Sequence, residues 1–332
     1  MNIPAYTLYL ALAAIAASTL GTYWFIRYAR QSGILDHPNT RSSHSTPTPR
    51  GGGSVFAVVT IGCWSILALG DSLAPADALA LIVPGAGMAL TGYLDDRYDL
   101  GRRVRLASQV LAATLLLAFC HTPSSPYFTH PLVLLVCGAV IVWLINLYNF
   151  MDGIDGIAAS YGVTISVLAM ILLAWSGQVQ LVPAIGVLTA SLCGFLFYNW
   201  PPAKVFMGDA GSTFLGVTFA ALFILTFDAI DWVTWAILFA AFLGDSSITL
   251  ATRILSGQNW AQPHRLHMYQ KLAPERRQHK KISMLYSLYT LFWLFPLACV
   301  YQGMDINPVL PLLLAYLPVL VLCRKVSAGL VR

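Results

Sequence analysis

Asp95, Asp96 and Asp99 fall within five residues of one another in the segment LDDRYDLGRRVRL. Carboxylates this close repel, which raises at least one pKa unless a cation sits among them. Their oxygens are the ligands that Mg²⁺ prefers, typically one or two carboxylates plus substrate phosphates. The same triplet also reads as a solvated loop neutralised by Arg97, Arg102, Arg103 and Arg105. A second polar run, Asn146, Asn149, Asp152 and Asp155, steps by three. At about 100° per residue that stripe drifts by ~60° each step, so one helical face cannot hold it. Gly153 and Gly156 offer a break that would let the four side chains converge. A carboxylate deep in hydrocarbon costs about 2.5–3.5 kcal/mol on insertion scales, so two at the end of an apolar span argue for a site.

Two glycine-bearing segments add phosphate chemistry. In Lys204-Val-Phe-Met-Gly-Asp-Ala-Gly-Ser-Thr213, Gly208, Gly211 and Ser212 let backbone N–H groups approach an anion at a helix start. Asp209 within it is either a helix cap or a metal ligand. Thr48-Pro-Arg-Gly-Gly-Gly53 is either a phosphate nest with Arg50 or a hinge. His264-Arg265-Leu-His267-Met-Tyr-Gln270 lacks the cysteines and acidic neighbours of a zinc site, and suits a diphosphate better. The basic run Arg276, Arg277, His279, Lys280 and Lys281 suits anionic lipid headgroups.

These residues must be held by membrane helices. Of 332 residues, 58% are hydrophobic and 10% charged, which identifies an integral membrane protein with no separate soluble domain. Apolar stretches run over 6–26, 54–70, 77–94, 104–120, 131–148, 157–175, 179–198, 212–227, 232–251, 283–301 and 308–323. All 19 lysines and arginines group with the odd-numbered gaps or the C-terminal tail, whereas the even-numbered gaps hold Asp71, Asp77, Asp228, Asp231 and Asp305. The positive-inside rule then predicts an all-α polytopic fold of about eleven transmembrane helices, with a periplasmic N-terminus and a cytoplasmic C-terminus. Residues 1–332 read as one polytopic domain. Arg27 and Arg30 follow the first stretch rather than precede it, as in a retained anchor. The six cysteines are scattered through apolar spans and read as small core residues. Asp245 lies within the ninth stretch, and its role, structural or positioning, stays open at this level.

Taken in order, GYLDDRYDLGRRVRL, NLYNFMDGIDGIAAS and FLFYNWPPAKVFMGDAGSTFLG resemble the polyprenyl-phosphate N-acetylhexosamine-1-phosphate transferases over nearly the whole chain. That family, glycosyltransferase family 4, includes initiators of O-antigen and surface-glycan synthesis and the phospho-N-acetylmuramoyl-pentapeptide translocase of peptidoglycan synthesis. The resemblance implies transfer of a sugar 1-phosphate from a UDP-sugar to undecaprenyl phosphate at the cytoplasmic face of the bacterial inner membrane, releasing UMP. It implies Mg²⁺ on Asp209, with Mn²⁺ as a substitute. Asp95 and Asp96 would flank the metal, with Asp95 activating the lipid phosphate. Asn149, Asp152, Asp155 and Asn199 would line the nucleotide-sugar site, with Phe206 near the uracil. His264, Arg265 and His267 occupy the place of the family's histidine-rich motif. Partners implied are undecaprenyl phosphate, a UDP-N-acetylhexosamine, membrane lipids and a second copy of the chain, with no nucleic acid. The histidine segment departs from three adjacent histidines or His-x-His-His, with Met268 where an imidazole is expected. That departure favours surface-polysaccharide initiation over the translocase and leaves the sugar open. A prenyltransferase acting on a Mg²⁺-bound prenyl diphosphate is the alternative enzyme, and a secondary transporter the alternative class.

Overall fold

The computed structural model describes residues 4–38, 46–120, 130–259, 262, 264–304 and 306–330. Arg41, Asp305 and Arg332, which helped sort the gaps, lie outside the described residues. The helices in chain order are α1 (Ala5–Gln31), α2 (Gly53–Leu69), α3 (Pro75–Tyr98), α4 (Arg102–Phe119), α5 (Pro131–Phe150), α6 (Ile157–Trp175) and α7 (Val182–Asn199). Next come α8 (Gly208–Leu225), α9 (Trp232–Leu238), α10 (Ala240–Leu255), the short α11 (Met268–Leu272), α12 (Arg276–Tyr289), α13 (Phe295–Gly303) and α14 (Val309–Lys325). Two two-residue strands, β1 (Leu35–Asp36) and β2 (Thr48–Pro49), pair antiparallel with Leu35 opposite Pro49.

Each of the eleven apolar stretches is helical, and the chain is a multi-pass membrane protein. Among the described residues seven helices are long and apolar enough to cross a bilayer, or eight if a bent pair counts as one span. Three of the expected spans fall short for identifiable reasons. Helices α2 and α14 have 17 residues each, and α4 opens with Arg102, Arg103 and Arg105. The ninth stretch, expected as one helix, is broken: α9 and α10 meet at 79°. Backbone carbonyls freed by such a break must find donors inside a bilayer. Here Tyr161 donates its hydroxyl to Leu238 O (2.9 Å) and Tyr316 donates to Ala236 O (2.9 Å). Helices α12 and α13 form one 28-residue segment joined by a π-helical turn, Thr290–Leu294. Pro296 lies just beyond it, and the wide turn accommodates the missing N–H and the ring.

Helix α8 is the axis of the bundle. Fifteen of its 18 residues are buried, so it has no lipid-facing stripe and must be enclosed on every side. Helices α2, α3 and α5 pack directly against it, and α1 and α6 reach the core through α7. Two contacts at its first turn are backbone to backbone. A Cβ added at Gly92 of α3 would collide with the Asp209–Ala210 peptide, and one at Gly53 of α2 with Gly211. These glycines bring the ends of α2 and α3 onto the first turn of α8. The C-terminal ends of α3, α5 and α7 thereby meet the N-terminal ends of α2, α4, α6 and α8 at one pole, the pole that carries the lysines and arginines.

Candidate active site

The pole is built around carboxylates supplied by helix ends. Asp95 and Asp96 close α3, Asp209 sits in the first turn of α8, and Asp152 lies in the turn from α5 to α6. Asp96 is fully engaged. It accepts the backbone N–H groups of Asp209 (3.0 Å) and Ala210 (3.1 Å) and pairs with Arg50 Nε at 2.8 Å. The N-terminus of α8, expected from the glycine pattern to bind substrate phosphate, is therefore occupied by a side-chain anion from α3. The partial positive charge of a helix start favours either occupant, and Asp96 is held there. Gly208, at φ +72°, lies against that carboxylate, where a Cβ would collide with it.

Arg50 is half-exposed and reaches a second acid, its Nη2 lying 3.3 Å from Asp209 Oδ1. Arg50 thus bridges two carboxylates of the acidic cluster. Asn149 donates from Nδ2 to the same Asp209 oxygen (3.0 Å) and to Ser212 Oγ (3.0 Å). Asp95 Oδ1 accepts the Leu100 N–H at 2.7 Å, and Oδ2 pairs with Arg105 Nε at 3.0 Å. Asp99 is solvated, paired with Arg105 Nη2 at 3.0 Å. Asp152 differs from all of these. Its carboxyl is pushed well above the usual range, first by burial and then by the charges of Asp209 and Asp96, and no hydrogen bond to it appears among the described residues.

The three-step run does not converge as a unit. Asn146 pairs with Gln109 of α4 through two amide hydrogen bonds of 3.1 and 2.7 Å. Asn149 joins the cluster through Asp209. Asp155 turns away from it: Oδ2 accepts the Ala203 N–H (2.9 Å) and Arg276 Nε (2.8 Å), and His279 Nδ1 lies 3.4 Å from Oδ1. Burial works to raise the Asp155 carboxyl, but His279, the Ala203 amide and Arg276 outweigh it and hold it below its ordinary value. Asp155 therefore fastens the α7–α8 loop and the start of α12. Buried Asn199 likewise donates from Nδ2 to Val205 O at 2.9 Å, bracing that loop from within. Phe206 extends the β2 edge, its N–H bonding Pro49 O (2.8 Å) and its carbonyl accepting from Gly52 (3.0 Å).

The histidine segment lies beside the turn that bears Asp152. His264 and His267 have ring centroids 5.0 Å apart, and His267 lies 6.1 Å from the Phe150 ring. Burial, then His267 and Arg253, push the His264 imidazole down to about 4, so it is neutral at physiological pH. Arg265 is half-buried between them. Tyr269 donates its hydroxyl to Phe150 O at 2.8 Å, and Gly153 lies against that hydroxyl. Arg276 and His279, read from the sequence as headgroup contacts, instead turn inward to Asp155, and Gln109 and the Tyr269 hydroxyl were not singled out at all. Their signal was weak because each acts on a partner far away in the sequence that only folding brings near.

No three His, Cys, Asp or Glu side chains among the described residues are disposed as a metal cage. Mg²⁺ does not need one, since it usually takes one or two carboxylates and keeps water or phosphate oxygens. Asp209 and Asp152 lie close enough for the charge of one to act on the other, and carboxylates so placed are the donor chemistry such an ion fits.

Residues 78–227 match the family model described as Glycosyl transferase family 4. A probable undecaprenyl-phosphate N-acetylglucosaminyl 1-phosphate transferase of Bacillus subtilis is 30% identical over 289 residues, covering 82% of this chain and 78% of that one. The chain belongs to glycosyl transferase family 4. An undecaprenyl-phosphate alpha-N-acetylglucosaminyl 1-phosphate transferase of Salmonella typhi is 32% identical over 282 residues, covering 78% and 75%. A phospho-N-acetylmuramoyl-pentapeptide-transferase of Streptococcus equi subsp. zooepidemicus is 31% identical over 244 residues, covering 65% and 72%. The family segment takes in Asp95, Asp96, Asn149, Asp152, Asp155, Asn199, Phe206 and Asp209; Arg50 and His264–Gln270 lie outside it.

Proposed function

We propose that this family 4 transferase moves an N-acetylhexosamine 1-phosphate from a UDP-sugar to undecaprenyl phosphate, at the cytoplasmic face of a bacterial inner membrane crossed eleven times. The observation that carries this reading is the meeting of Asp209, Asp152, Asp96 and Asp95 with Arg50 at the basic pole of the bundle. That pole is where a lipid phosphate and a water-soluble nucleotide sugar can both arrive. Surface-glycan initiation remains the favoured setting because of the altered histidine segment. A prenyltransferase has no support in the relatives described above.

In the reaction, an oxygen of the lipid phosphate attacks the phosphorus that bears the sugar. The bond to the bridging oxygen of the UDP diphosphate breaks, and UMP leaves with that oxygen. Mg²⁺, held by Asp209 with Asp152 nearby, would neutralise charge on the diphosphate. Asp96 holds the first turn of α8, and so Asp209, in place. Asn149 fixes the Asp209 carboxylate through one oxygen. Asp95, its carboxylate oriented by the Leu100 N–H and Arg105, would activate the lipid phosphate. Little activation is needed, since a phosphate monoester loses its second proton near pH 6. Arg265 and His264 face the sugar diphosphate from α11's side, and Phe206 the base.

Purified protein in detergent, given undecaprenyl phosphate, Mg²⁺ and a panel of UDP-N-acetylhexosamines, should release UMP with one donor. Release should require the lipid, the ion and Asp209. Absence of UMP with every donor, in protein that is folded, would overturn the reading.

A further inference from the structure

Asp245 is the most deeply placed carboxylate outside the cluster, with no exposed surface. It stands on α10 just after the α9–α10 break, and every donor around it but one comes from beyond α10. Its Oδ1 accepts the Met268 N–H (2.7 Å) and the hydroxyl of Thr249, four residues on in α10 (3.2 Å). Its Oδ2 accepts the Tyr269 N–H (3.0 Å) and the Tyr286 hydroxyl (2.7 Å). Burying a carboxylate is costly unless its oxygens are hydrogen-bonded. Hydrogen bonds to a charged group are among the strongest in a protein, and four of them offset that cost.

What Asp245 holds is next to the site. His267 is buried, and its Nδ1, which has no hydrogen-bond partner among the described residues, lies 3.6 Å from Asp245 Oδ1. Tyr269, whose N–H Asp245 binds, passes the connection on through its hydroxyl to Phe150 O. Phe150 stands between Asn149 and the Asp152 turn. The path from Asp245 to the two groups that face Asp209 is therefore continuous: one carboxylate, one tyrosine, one backbone carbonyl.

Resting on the transferase reading, we propose that Asp245 is a positioning residue for the transfer, fixing the His267 imidazole and the first turn of α11 against the Asn149–Asp152 segment. It acts through those groups and touches no substrate. A carboxylate that served only to stabilise the fold would, when neutralised, lower the melting temperature and yield while the folded fraction kept its turnover. A positioning carboxylate lowers kcat at nearly constant KM for the donor.

The test compares Asp245→Asn, His267→Gln and the double variant by kcat and KM for UMP release. Trypsin cleavage after Arg265 and Lys271 is followed by mass spectrometry in the same preparations. Asp245→Asn is expected to lower kcat by about ten- to a hundredfold, as loss of a carboxylate orienting an imidazole commonly does. The double variant should be no slower than the worse single one, since both changes break one path. Cleavage after Arg265 should quicken in Asp245→Asn. Full additivity, or an unchanged kcat in folded Asp245→Asn, overturns the proposal. Tyr269→Phe, which removes only the bond to Phe150, keeps the test open if Asp245→Asn does not fold; its kcat must then fall too. If wild-type protein released no UMP, the transferase reading would fail, and the tryptic readout would still decide whether Asp245 fixes the segment.

Discussion

Asp96 and Asp245 perform the same local task in two places with opposite surroundings. Each is a helix-borne aspartate whose two oxygens accept successive backbone N–H groups at the start of another helix, α8 for Asp96 and α11 for Asp245. Around Asp245 the other neighbours are hydroxyl donors and one imidazole, so the carboxylate is satisfied. Around Asp96 they are Asp95, Asp152 and Asp209, with Arg50 as the cation between Asp96 and Asp209. One region is saturated and acts as an anchor. The other is left short of positive charge, the condition under which a divalent ion and its phosphate ligands bind.

The comparison breaks first at Asp209. Asp209→Asn keeps the shape and removes the charge, and should cut UMP release by about a thousandfold with little change in melting temperature, the scale of losing a main electrostatic contact. Activity near the wild-type level would mean that the charge deficit is incidental. Asp96→Asn should strike both properties at once. It weakens the cap on α8 and the pair with Arg50, costing about 1–3 kcal/mol of stability as well as activity. A thermal melt beside an activity assay separates that combined loss from the single loss at Asp209.

The Asp155 clasp gives a smaller effect with a pH signature. Its folded-state pKa is depressed, so its contribution is complete above the unfolded value near 4 and is lost as pH falls through the folded value. Arg276→Ala should therefore lower the melting temperature most at neutral pH, with the gap to wild type closing in acid. A gap independent of pH would assign Arg276 a packing role alone. Least affected should be Arg277→Ala, an exposed residue whose ion pair among the described residues is with Glu275, with a change within about 0.5 kcal/mol and unaltered turnover.

Much of this was legible before folding. The charge sorting marks the pole, and the Asp-Asp and Gly-Asp segments name the acids that meet there. The individual assignments were not legible, because periodicity says which residues share an element and not which backbone amides lie opposite them. Asp96 and Asp152 sit in similar motifs, yet one is spent on α8 and the other faces the cluster. Asp155 looked like part of the same run and instead binds Arg276, more than a hundred residues later. Asp245 carried the clearest single signal, a lone carboxylate in an apolar stretch, but the segment it holds could only be found in three dimensions. The break between α9 and α10 left no sequence mark, since neither a proline nor a glycine lies at Phe239.

The contact between Gly53 and Gly211 bears on portability. Residues 78–227 are the part that matches the family, yet their central helix is met by the start of α2, which precedes them, and their α5–α6 turn by a short helix that follows. A chimaera that exchanged only this segment between relatives would place a foreign first turn of α8 against the resident α2, where there is no room for even a methyl group. It would also strand Arg50 and α11 opposite acids that had not been chosen for them. The transplantable unit is discontinuous: the 48–53 loop, the family segment, and the stretch from Asp245 to His279 have to travel together.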